Sequence, residues 1–427
     1  MPLDRRALLG ALGLTVAGAA AAQAQTSTPT QAPAAAPPPP SLAERITARA
    51  LEHRHRLEFD GTRFSGPAWD LLVEEGRGAQ FFCIGEEHGI AENPKMAAQL
   101  FGAIGAERAC VEISPPMAIE LDRAARGGVD GLRDLFRDPR AQVAFFGMRE
   151  EAEWLASARA AVRGRGQVIW GLDYEVGGDR RIIQRLKEKR KPAAAAAALA
   201  ALEQASNASW AQYAETRSPQ YIFSFSGDPG LVAAVREAWP NADIEARWMI
   251  ETLEETLAIN RLWVQGEGWR SNERRARFNR ANFRRYWESD GGGRPKVMLK
   301  FGASHMVRGL SHAQVLDVGT QVSELAEQMG EKSFHMLVLP GPGSQHAQFD
   351  PTAWAYRPTD AGQYDNMGMG PLMAAAHADA FTLIDLRPLR SLVFGARHKA
   401  LDADLIRNIH GFDALLVMSG STASANL

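Results

Sequence analysis

The sequence predicts an α/β fold, in which a mostly parallel sheet is flanked by helices and carries an inserted helical subdomain. Short apolar runs that do not alternate in polarity are typical of strands buried in a parallel sheet. Helical patterns separate the first of these runs, and such alternation implies right-handed crossovers. The predicted strands are Gln80–Ile84, Arg108–Ile113, Gln167–Leu172, Lys296–Phe301, Phe334–Leu339 and Phe381–Leu386, with Asp413–Met418 as a weaker candidate.

Helical patterns fill the first two crossovers. Asn93 is a suitable N-cap, and Pro94 then occupies the first helical position, where a missing N–H costs nothing. One face of this helix is apolar at helical spacing, through Ala97, Leu100, Phe101 and Ile104. The second crossover contains helical patterns at about Pro116–Ala125 and Glu150–Val162.

The inserted helical subdomain spans about residues 178–290, which contain no convincing strand pattern. It includes the Ala-rich stretch Ala193–Ala201 and two long helical patterns, the second from Ser271 to about Trp287. The first pattern has a stripe formed by Met249, Leu253, Leu257, Asn260 and Val264. We expect this region to form a wall or lid over the carboxyl edge of the sheet.

Residues 1–24 have the pattern of an export signal, because Arg5-Arg6 precede the short apolar run Ala7–Ala22. The stretch DRRALLG resembles a twin-arginine signal, with an ordinary secretory signal as the alternative. Residues 25–40 are rich in Ala and Pro and predict an extended linker to a single α/β domain, residues 41–427. We therefore expect a periplasmic or secreted protein without an integral membrane segment after signal removal, since no later run of about 18 apolar residues follows.

The charge balance argues against a nucleic-acid partner. The 427 residues include 48 Lys plus Arg and 50 Asp plus Glu, a formal net charge of -2, whereas nucleic-acid binders usually have a basic excess. Both cysteines, Cys83 and Cys110, lie in apolar runs on strands predicted to be neighbours, where the geometry suits a disulfide poorly. We expect two buried free thiols.

Ionisable side chains follow four of the predicted strands, at the edge where open α/β sheets bind ligands. In GEEHG, glycines on both sides of the Glu and His allow a tight turn that presents both side chains. The motifs VEISPP, GLDYE and KFGASHM follow the next three strands. The ionisable residues concerned are Glu86, Glu87, His88, Glu112, Asp173, Glu175, Lys300 and His305.

The helix that begins at Ser271 has a polar stripe formed by Arg275, Asn279, Asn282 and Tyr286. A solvated basic face is one interpretation of this arginine-rich helix. In the other, Arg275 reaches the site and binds a carboxylate or orients Glu112 bidentately. The polar, Gly-rich loop Gly341–Gly370, with Asp350 and Tyr364, is a candidate cover for the site. Surface or capping roles are expected for the histidines without a motif partner, His346, His377, His398 and His410.

A histidine beside one or two carboxylates is held in one tautomer and becomes a stronger base, which suits activation of water. We therefore predict catalytic roles for Glu86, His88, Glu112 and His305, and substrate-binding or supporting roles for Glu87, Asp173, Arg275, Asn282 and Lys300. Capping or ion pairing is the alternative for any one of them alone. A divalent metal bound by His88, His305 and Glu112 is another alternative, although no compact motif such as HExxH supports it.

Taken in order, these motifs resemble those of the erythromycin esterase-like superfamily, together with its ChaN-like haem-uptake and Tiki-like groups. The matching stretches are GEEHG with the NP helix start, VEISPP, VIWGLDYE, the Arg/Asn helix and PKVMLKFGASHM, within Gln80–Gly309. The resemblance implies hydrolysis by a His-activated water without an obligatory metal. It assigns activation of the water to His88, positioning of that histidine to Glu112, and assistance to His305, with Glu86 in the first motif.

Two differences keep the alternatives open. The esterases have one more residue between the first Glu and His, and a further His and an Asn where this chain has Gly302 and Ala303. The Gly85–His88 spacing is like that of the ChaN-like and Tiki-like groups, and Tiki-like members are regarded as metal-dependent proteases with paired GxxH motifs, here Gly85–His88 and Gly302–His305. We predict an exported hydrolase of a small-molecule ester, lactone or amide that requires no cofactor. A haem- or metal-binding uptake protein, a metal-dependent protease and a non-catalytic relative are the alternatives.

Overall fold

The computed structural model describes residues 39–427 except 144, 165, 291–292, 362–367 and 396–400. The predicted export signal and all but the last two residues of the predicted linker lie outside the described residues, so both stay predictions. The described fold begins with a helix whose N-cap, Ser41, forms a capping box with Glu44. Across the described ranges, helices that are both long and apolar enough to cross a membrane are absent.

The sheet confirms the predicted α/β class. The strands of the described residues are β1 (Arg54–Phe59), β2 (Phe64–Ser65), β3 (Phe81–Glu86), β4 (Arg108–Val111), β5 (Ile169–Gly171), β6 (Val297–Gly302), β7 (Ser333–Pro340), β8 (Gln345–Asp350), β9 (Ala355–Asp360), β10 (Phe381–Asp385) and β11 (Ala414–Met418). Nine of them form one sheet in the order β2-β1-β10-β11-β7-β3-β6-β4-β5. The strands from β11 to β5 in this order all run parallel.

The predicted direction of one strand is wrong. The run Phe381–Leu386 is predicted to be a parallel strand, but β10 pairs antiparallel with both β1 and β11. Its central residues are buried like those of the parallel strands, and burial on both faces produces the same apolar run in either direction. Strand β1 is not among the predicted strands. Most of its residues are partly exposed near the edge of the sheet, so it has no apolar run in the sequence.

The register of the central strands brings the predicted motifs together. Strand β3 lies between β6 and β7, and Glu86 at its end is paired with Gly302 at the end of β6. Strand β4 lies on the other side of β6, with Val111 paired with Lys300. The residues that follow β3, β4, β5 and β6 therefore meet at one edge of the sheet, as parallel strands require.

Alternate residues of β3 enter two different hydrophobic cores, one on each face of the sheet. Phe82 and Ile84 belong to the core beneath the first crossover helices, whereas Phe81 and Cys83 belong to the other. Cys83 and Cys110 are both free and buried, as predicted. Burial raises the pKa of the Cys83 thiol, which makes it a poor nucleophile.

The helices confirm the inserted subdomain. They are α1 (Leu42–Glu52), α2 (Pro67–Gly78), α3 (Glu92–Ala103), α4 (Pro115–Ala125), α5 (Gly128–Phe136), α6 (Arg149–Ala161), α7 (Asp179–Glu188), α8 (Ala193–Thr216), α9 (Phe223–Ser226), α10 (Pro229–Ala238), α11 (Ile244–Val264), α12 (Gly268–Ser289), α13 (Ala303–Met306), α14 (Val318–Gln328), α15 (Gly370–Met373), α16 (Arg390–Val393) and α17 (Ala403–Gly411). Between β5 and β6 the described residues form helices α7 to α12 and no strand.

Asn93 does not cap helix α3, contrary to the prediction. The helix begins at Glu92, so that Asn93 lies in its first turn and is completely buried. Its side-chain amide donates a hydrogen bond to the carboxylate of Glu86 at the end of β3. A polar residue at the start of a helix has the same sequence signature whether it caps the helix or contacts another segment.

The segment 341–370 is only partly a loop. Strands β8 and β9 form an antiparallel hairpin within it, while Tyr364 lies outside the described residues. The hairpin packs on the GEEHG turn, where the Ala347 N–H donates to the Gly89 carbonyl at 2.9 Å. Gly89 has φ +87°, and a Cβ at this position would overlap the backbone of Ala347. A glycine is therefore needed both for the turn and for the close approach of the hairpin.

This contact predicts a large cost for Gly89→Ala, which we compare with Gly61→Ala. Gly61 has φ +94° and open space around its missing side chain, so Gly61→Ala should cost only the backbone strain, about 1–2 kcal/mol. Gly89→Ala should cost about 1–3 kcal/mol more, because the hairpin must move. Urea denaturation of the two variants measures the difference. Equal free energies of unfolding would show that the hairpin does not pack closely on Gly89.

Candidate functional site

The end of β3 places Glu86 and His88 side by side. The Nδ1 atom of His88 lies 2.8 Å from Oε1 of Glu86. The Nζ of Lys300 donates to the same oxygen at 2.6 Å, and the Asn93 amide donates to the other oxygen. Burial would raise the pKa of Glu86, but Lys300 and His88 outweigh it and lower that pKa. Glu86 is thus a buried carboxylate that holds one nitrogen of His88.

Lys300 connects Glu86 to a second buried carboxylate, Glu151. The Lys300 side chain, on β6, is completely buried, and its Nζ lies 2.5 Å from Oε1 of Glu151 on helix α6. Burial raises the pKa of Glu151 to about 7, even though Lys300 acts in the other direction. Nothing in the sequence singles out Glu151, because it lies inside a helical pattern with no motif around it.

Glu112 lies between the two predicted catalytic histidines. Its Oε2 is 3.3 Å from Nε2 of His88, and its Oε1 is 3.4 Å from Nε2 of His305. The backbone N–H of Gly302 donates to Oε2 at 2.6 Å, and Arg275 donates to Oε1 at 2.6 Å. Because Glu112 directly follows the buried strand β4, this carboxylate has little access to water and depends on these four partners.

His305, on the short helix α13, is held from its other side. Its Nδ1 lies 2.7 Å from Oδ2 of Asp317, the N-cap of helix α14. Asp317 could not be predicted from the sequence, because it lies outside the motifs that follow the strands. The two histidines are therefore held alike: Nδ1 is within 2.8 Å of a dedicated carboxylate, and Nε2 faces the shared Glu112 at a longer distance.

Helix α12 reaches the site with the predicted polar stripe. Arg275 uses two nitrogens to contact Asp173 and one to contact Glu112, so its bidentate partner is Asp173 rather than the predicted Glu112. The guanidinium also lies over the Tyr174 ring, 5.1 Å from its centroid. In the orientation that satisfies both ends of its amide, Asn279 donates to Asp173 Oδ1 and to the Leu172 carbonyl, both at 3.2 Å.

Three of the residues singled out in the sequence, Asn282, Glu87 and Glu175, contact none of Glu86, His88, Glu112 and His305 in the hydrogen bonds and ion pairs of the described residues. The Asn282 amide donates to the Leu172 carbonyl at 2.7 Å and supports the end of β5. Glu87 is 37% exposed and faces His346 on the hairpin, with 3.4 Å between its Oε1 and Nδ1 of that histidine. Glu175 accepts hydrogen bonds from Ser114 and from neighbouring backbone N–H groups of its own turn.

The carboxylates make both histidines strongly basic. Burial alone would lower the pKa of His88, but Glu112 and Glu86 outweigh it and raise that pKa to about 10. Burial and Arg275 would lower the pKa of His305, but Asp317 and Glu112 raise it to about 10. Burial acts to raise the pKa of Glu112, whereas the two histidines hold it well below its usual range. At neutral pH the site therefore contains two imidazolium ions around one carboxylate.

The three residues predicted to bind a metal in the alternative, His88, His305 and Glu112, lie together in this arrangement. The Nε2 atoms of His88 and His305 converge on Glu112, which is the ligand set that the sequence predicted for a divalent ion. Among the residues that the structure describes, however, no group of three His, Cys, Asp or Glu side chains has a spacing suited to hold one. Each ring nitrogen already faces a carboxylate oxygen, and the arrangement suits ion pairs better than metal ligation.

The buried Lys300 predicts a strong effect of Lys300→Met on stability. Removing the ammonium leaves Glu86 and Glu151 without their shared cation, which should cost about 3–5 kcal/mol of unfolding free energy. Lys300→Met combined with Glu151→Gln should cost less, because only one carboxylate then loses its partner. The control is Lys296→Met, a partly exposed lysine that donates to two backbone carbonyls. If chemical denaturation gives equal losses for Lys300→Met and Lys296→Met, the buried ion pairs contribute no special stability.

Comparisons with known proteins support the fold. No family model matches the sequence, and no curated protein matches it significantly. Among solved structures, a protein from Bacillus cereus has a TM-score of 0.56 at 15% identity, over 91% of this chain and 100% of its own. A mutant of the erythromycin esterase EreC in its open conformation has a TM-score of 0.57 at 17% identity, over 87% of this chain and 98% of its own.

A succinoglycan biosynthesis protein has a TM-score of 0.55 at 13% identity, over 90% of this chain and 99% of its own. At such low identity these matches show a shared fold. The match with EreC covers nearly the whole of both chains, which is more than the segment Gln80–Gly309 covered by the motifs. The chain therefore has the erythromycin esterase-like fold that its sequence motifs predicted.

Proposed function

We propose that this protein is a hydrolase in which a water molecule activated by His88 attacks an ester, lactone or amide of a small molecule. The observation that supports this function is the paired arrangement of His88 and His305 around Glu112. Each imidazole is held at Nδ1 by its own carboxylate and directs Nε2 to the same place. The export pattern of residues 1–24 supports a periplasmic or secreted location.

His88 is suited to act as the general base. Its Nδ1 is held by Glu86 at 2.8 Å, whereas 3.3 Å separates Nε2 from Glu112. Charge-assisted hydrogen bonds are usually about 2.7–2.9 Å long, so the Nε2 contact is loose. A water molecule beside Nε2 transfers a proton to it as the water oxygen forms a bond to the substrate carbonyl carbon. Glu112 has too low a pKa to be this base.

The other half of the site is suited to stabilise the oxyanion. The carbonyl oxygen gains negative charge when water adds, and a preorganised cation lowers the free energy of that state. His305, charged and fixed by Asp317, directs Nε2 towards the same carboxylate, and Arg275 donates to Oε1, the oxygen that His305 faces. When the intermediate collapses, the carbon–oxygen or carbon–nitrogen bond breaks and the leaving group takes the proton from His88.

The proposed roles of His88 as general base and of Glu112 as its partner predict loss of turnover in His88→Asn and Glu112→Gln. Each change should lower kcat/KM by about 10²–10⁴-fold, the usual effect of removing a general base or its partner. A panel of aryl and alkyl esters, lactones and amides measures the rates, and circular dichroism checks the fold. His377→Asn and Glu203→Gln, in residues distant from the site in the sequence and absent from its contacts, should retain wild-type rates. Unchanged rates in the site variants would contradict the proposal.

The raised pKa of His88 predicts an alkaline pH profile. The base must be neutral, so kcat/KM should increase about tenfold per pH unit from pH 7 towards the pKa of about 10. Glu86→Gln removes a negative charge beside His88 and should lower its pKa, which moves the rise to lower pH. Steady-state kinetics of both proteins between pH 6 and 10 measure this. A flat wild-type profile, or a shift to higher pH in Glu86→Gln, would show that His88 is not the base.

Metal-dependent hydrolysis is the second candidate, because the Nε2 atoms of His88 and His305 approach one carboxylate. It predicts a stoichiometric divalent ion in purified protein and loss of both ion and activity in His305→Asn. Elemental analysis with a chelator-treated sample distinguishes the two candidates. Full activity at less than about a tenth of an equivalent of metal favours the metal-independent reaction, whereas activity proportional to bound metal favours the second candidate.

A further inference from the structure

An aromatic ring covers one face of His88. The rings of Phe145 and His88 are stacked, with their centroids 4.0 Å apart and an angle of 15° between their planes. Phe145 belongs to the connection between α5 and α6, in a part of the sequence where no motif is found. No sequence pattern therefore indicates that Phe145 directly contacts the proposed general base.

The backbone of Phe145 is held in an unfavourable conformation. Its φ is +62°, in the left-handed region that residues with a Cβ, and bulky residues above all, rarely adopt. Such conformations persist where surrounding contacts hold them, and they are often found at functional sites. A glycine would fit this backbone more easily, so the ring of Phe145 is kept at a cost in free energy.

Tyr356 supplies the contact that holds this backbone. The N–H of Phe145 donates to the Tyr356 hydroxyl, on strand β9 of the hairpin. Tyr356 is buried, and its own backbone is fixed by two hydrogen bonds of 2.9 Å with the Asn426 side chain. The hairpin and the segment around Asn426 thereby set the position of the ring above His88.

The stacked ring restrains a motion that the carboxylates leave free. Glu86 and Glu112 lie 2.8 and 3.3 Å from the two nitrogens of His88, whereas Phe145 covers a face of the imidazole plane. A contact on the ring face resists tilting out of that plane and excludes water from that side. An imidazolium over an aromatic face is also attracted to the ring electrons.

We propose that Phe145 is a positioning residue that keeps the His88 imidazole aligned between Glu86 and Glu112, with Tyr356 as its support. This inference rests on the proposed hydrolase function, in which Nε2 of His88 must meet the attacking water in a defined orientation. Phe145 itself transfers no proton. Its contribution is the fixed geometry of the base, and small displacements of reacting groups can slow a reaction about a hundredfold.

Kinetics of Phe145 variants test this role. Phe145→Leu should lower kcat about 10–100-fold and change KM less than about threefold. Phe145→Tyr keeps an aromatic face and should retain kcat within about threefold. A large change confined to KM would show that the ring contacts substrate instead. A higher kcat in Phe145→Leu would show that the ring blocks the site, and either result would overturn the proposal.

Tyr356→Phe tests whether the Tyr356 hydroxyl holds the backbone of Phe145, and Tyr213→Phe is its matched control. It removes only the hydroxyl that accepts from Phe145, and kcat should fall about threefold or more with KM unchanged. Tyr213→Phe removes another buried hydroxyl, which donates to the Pro351 carbonyl in the turn of the hairpin, and should leave kcat unchanged. Equal kcat values in the two variants would contradict the support role of Tyr356. Thermal denaturation of both variants separates this effect from general loss of stability.

NMR of histidine-labelled protein tests the positioning without any substrate. In the wild type, the ring N–H protons of His88 should exchange slowly with water and give sharp signals, because both nitrogens face carboxylates. Phe145→Leu should broaden or remove these signals, whereas Tyr213→Phe should leave them sharp. Sharp signals in Phe145→Leu would overturn the proposal. If the wild type hydrolyses nothing in the panel, the hydrolase function fails, and the NMR comparison still decides the role of Phe145.

Discussion

The site depends on the burial of Glu112, because a carboxylate this far from water must be surrounded by donors. Its two oxygens accept hydrogen bonds from a backbone N–H of β6 and a guanidinium of α12. They also lie within 3.4 Å of two imidazoles, one in the turn after β3 and one on α13. None of these groups is near another in sequence except Gly302 and His305. The parallel sheet makes the meeting possible, since it brings the ends of β3, β4 and β6 to one edge. Gly302 is part of this constraint: a Cβ there would come within 3.3 Å of both His88 and Glu112.

The site residues at the ends of the strands could be predicted from the sequence. The side chains that hold them in place from the surrounding helices could not. Glu86, His88, Glu112 and His305 each follow an apolar run, and parallel strands leave little choice about where such residues lie. The structure places them together, while their catalytic roles stay predictions. Glu151 and Asp317 hold Lys300 and His305 from inside α6 and from the start of α14. Contacts of that kind depend on how helices pack on the sheet, which local patterns do not reveal.

The errors in the predicted fold have the same cause, because local sequence patterns do not report how distant segments pack. The direction of β10 depends on the path of the chain around the edge of the sheet, whereas its apolar residues report only burial. The hairpin of β8 and β9 is rich in polar residues because most of them remain at least partly exposed, and it therefore has the composition of a loop. Asn93 illustrates a third case, in which a residue suited to cap the start of a helix instead donates to a buried carboxylate.

The Gly89 carbonyl has a consequence for how the protein folds. It accepts one N–H from Ala347 in the hairpin, at 2.9 Å, and another from Ser424, at 2.8 Å. Three segments that are far apart in the sequence must therefore be in place before the turn that presents His88 is complete. Contacts between residues so distant in the chain form slowly, since closing a long loop costs entropy before any contact compensates. The turn that carries His88 can therefore be completed only after the segment around Ser424 has been synthesised.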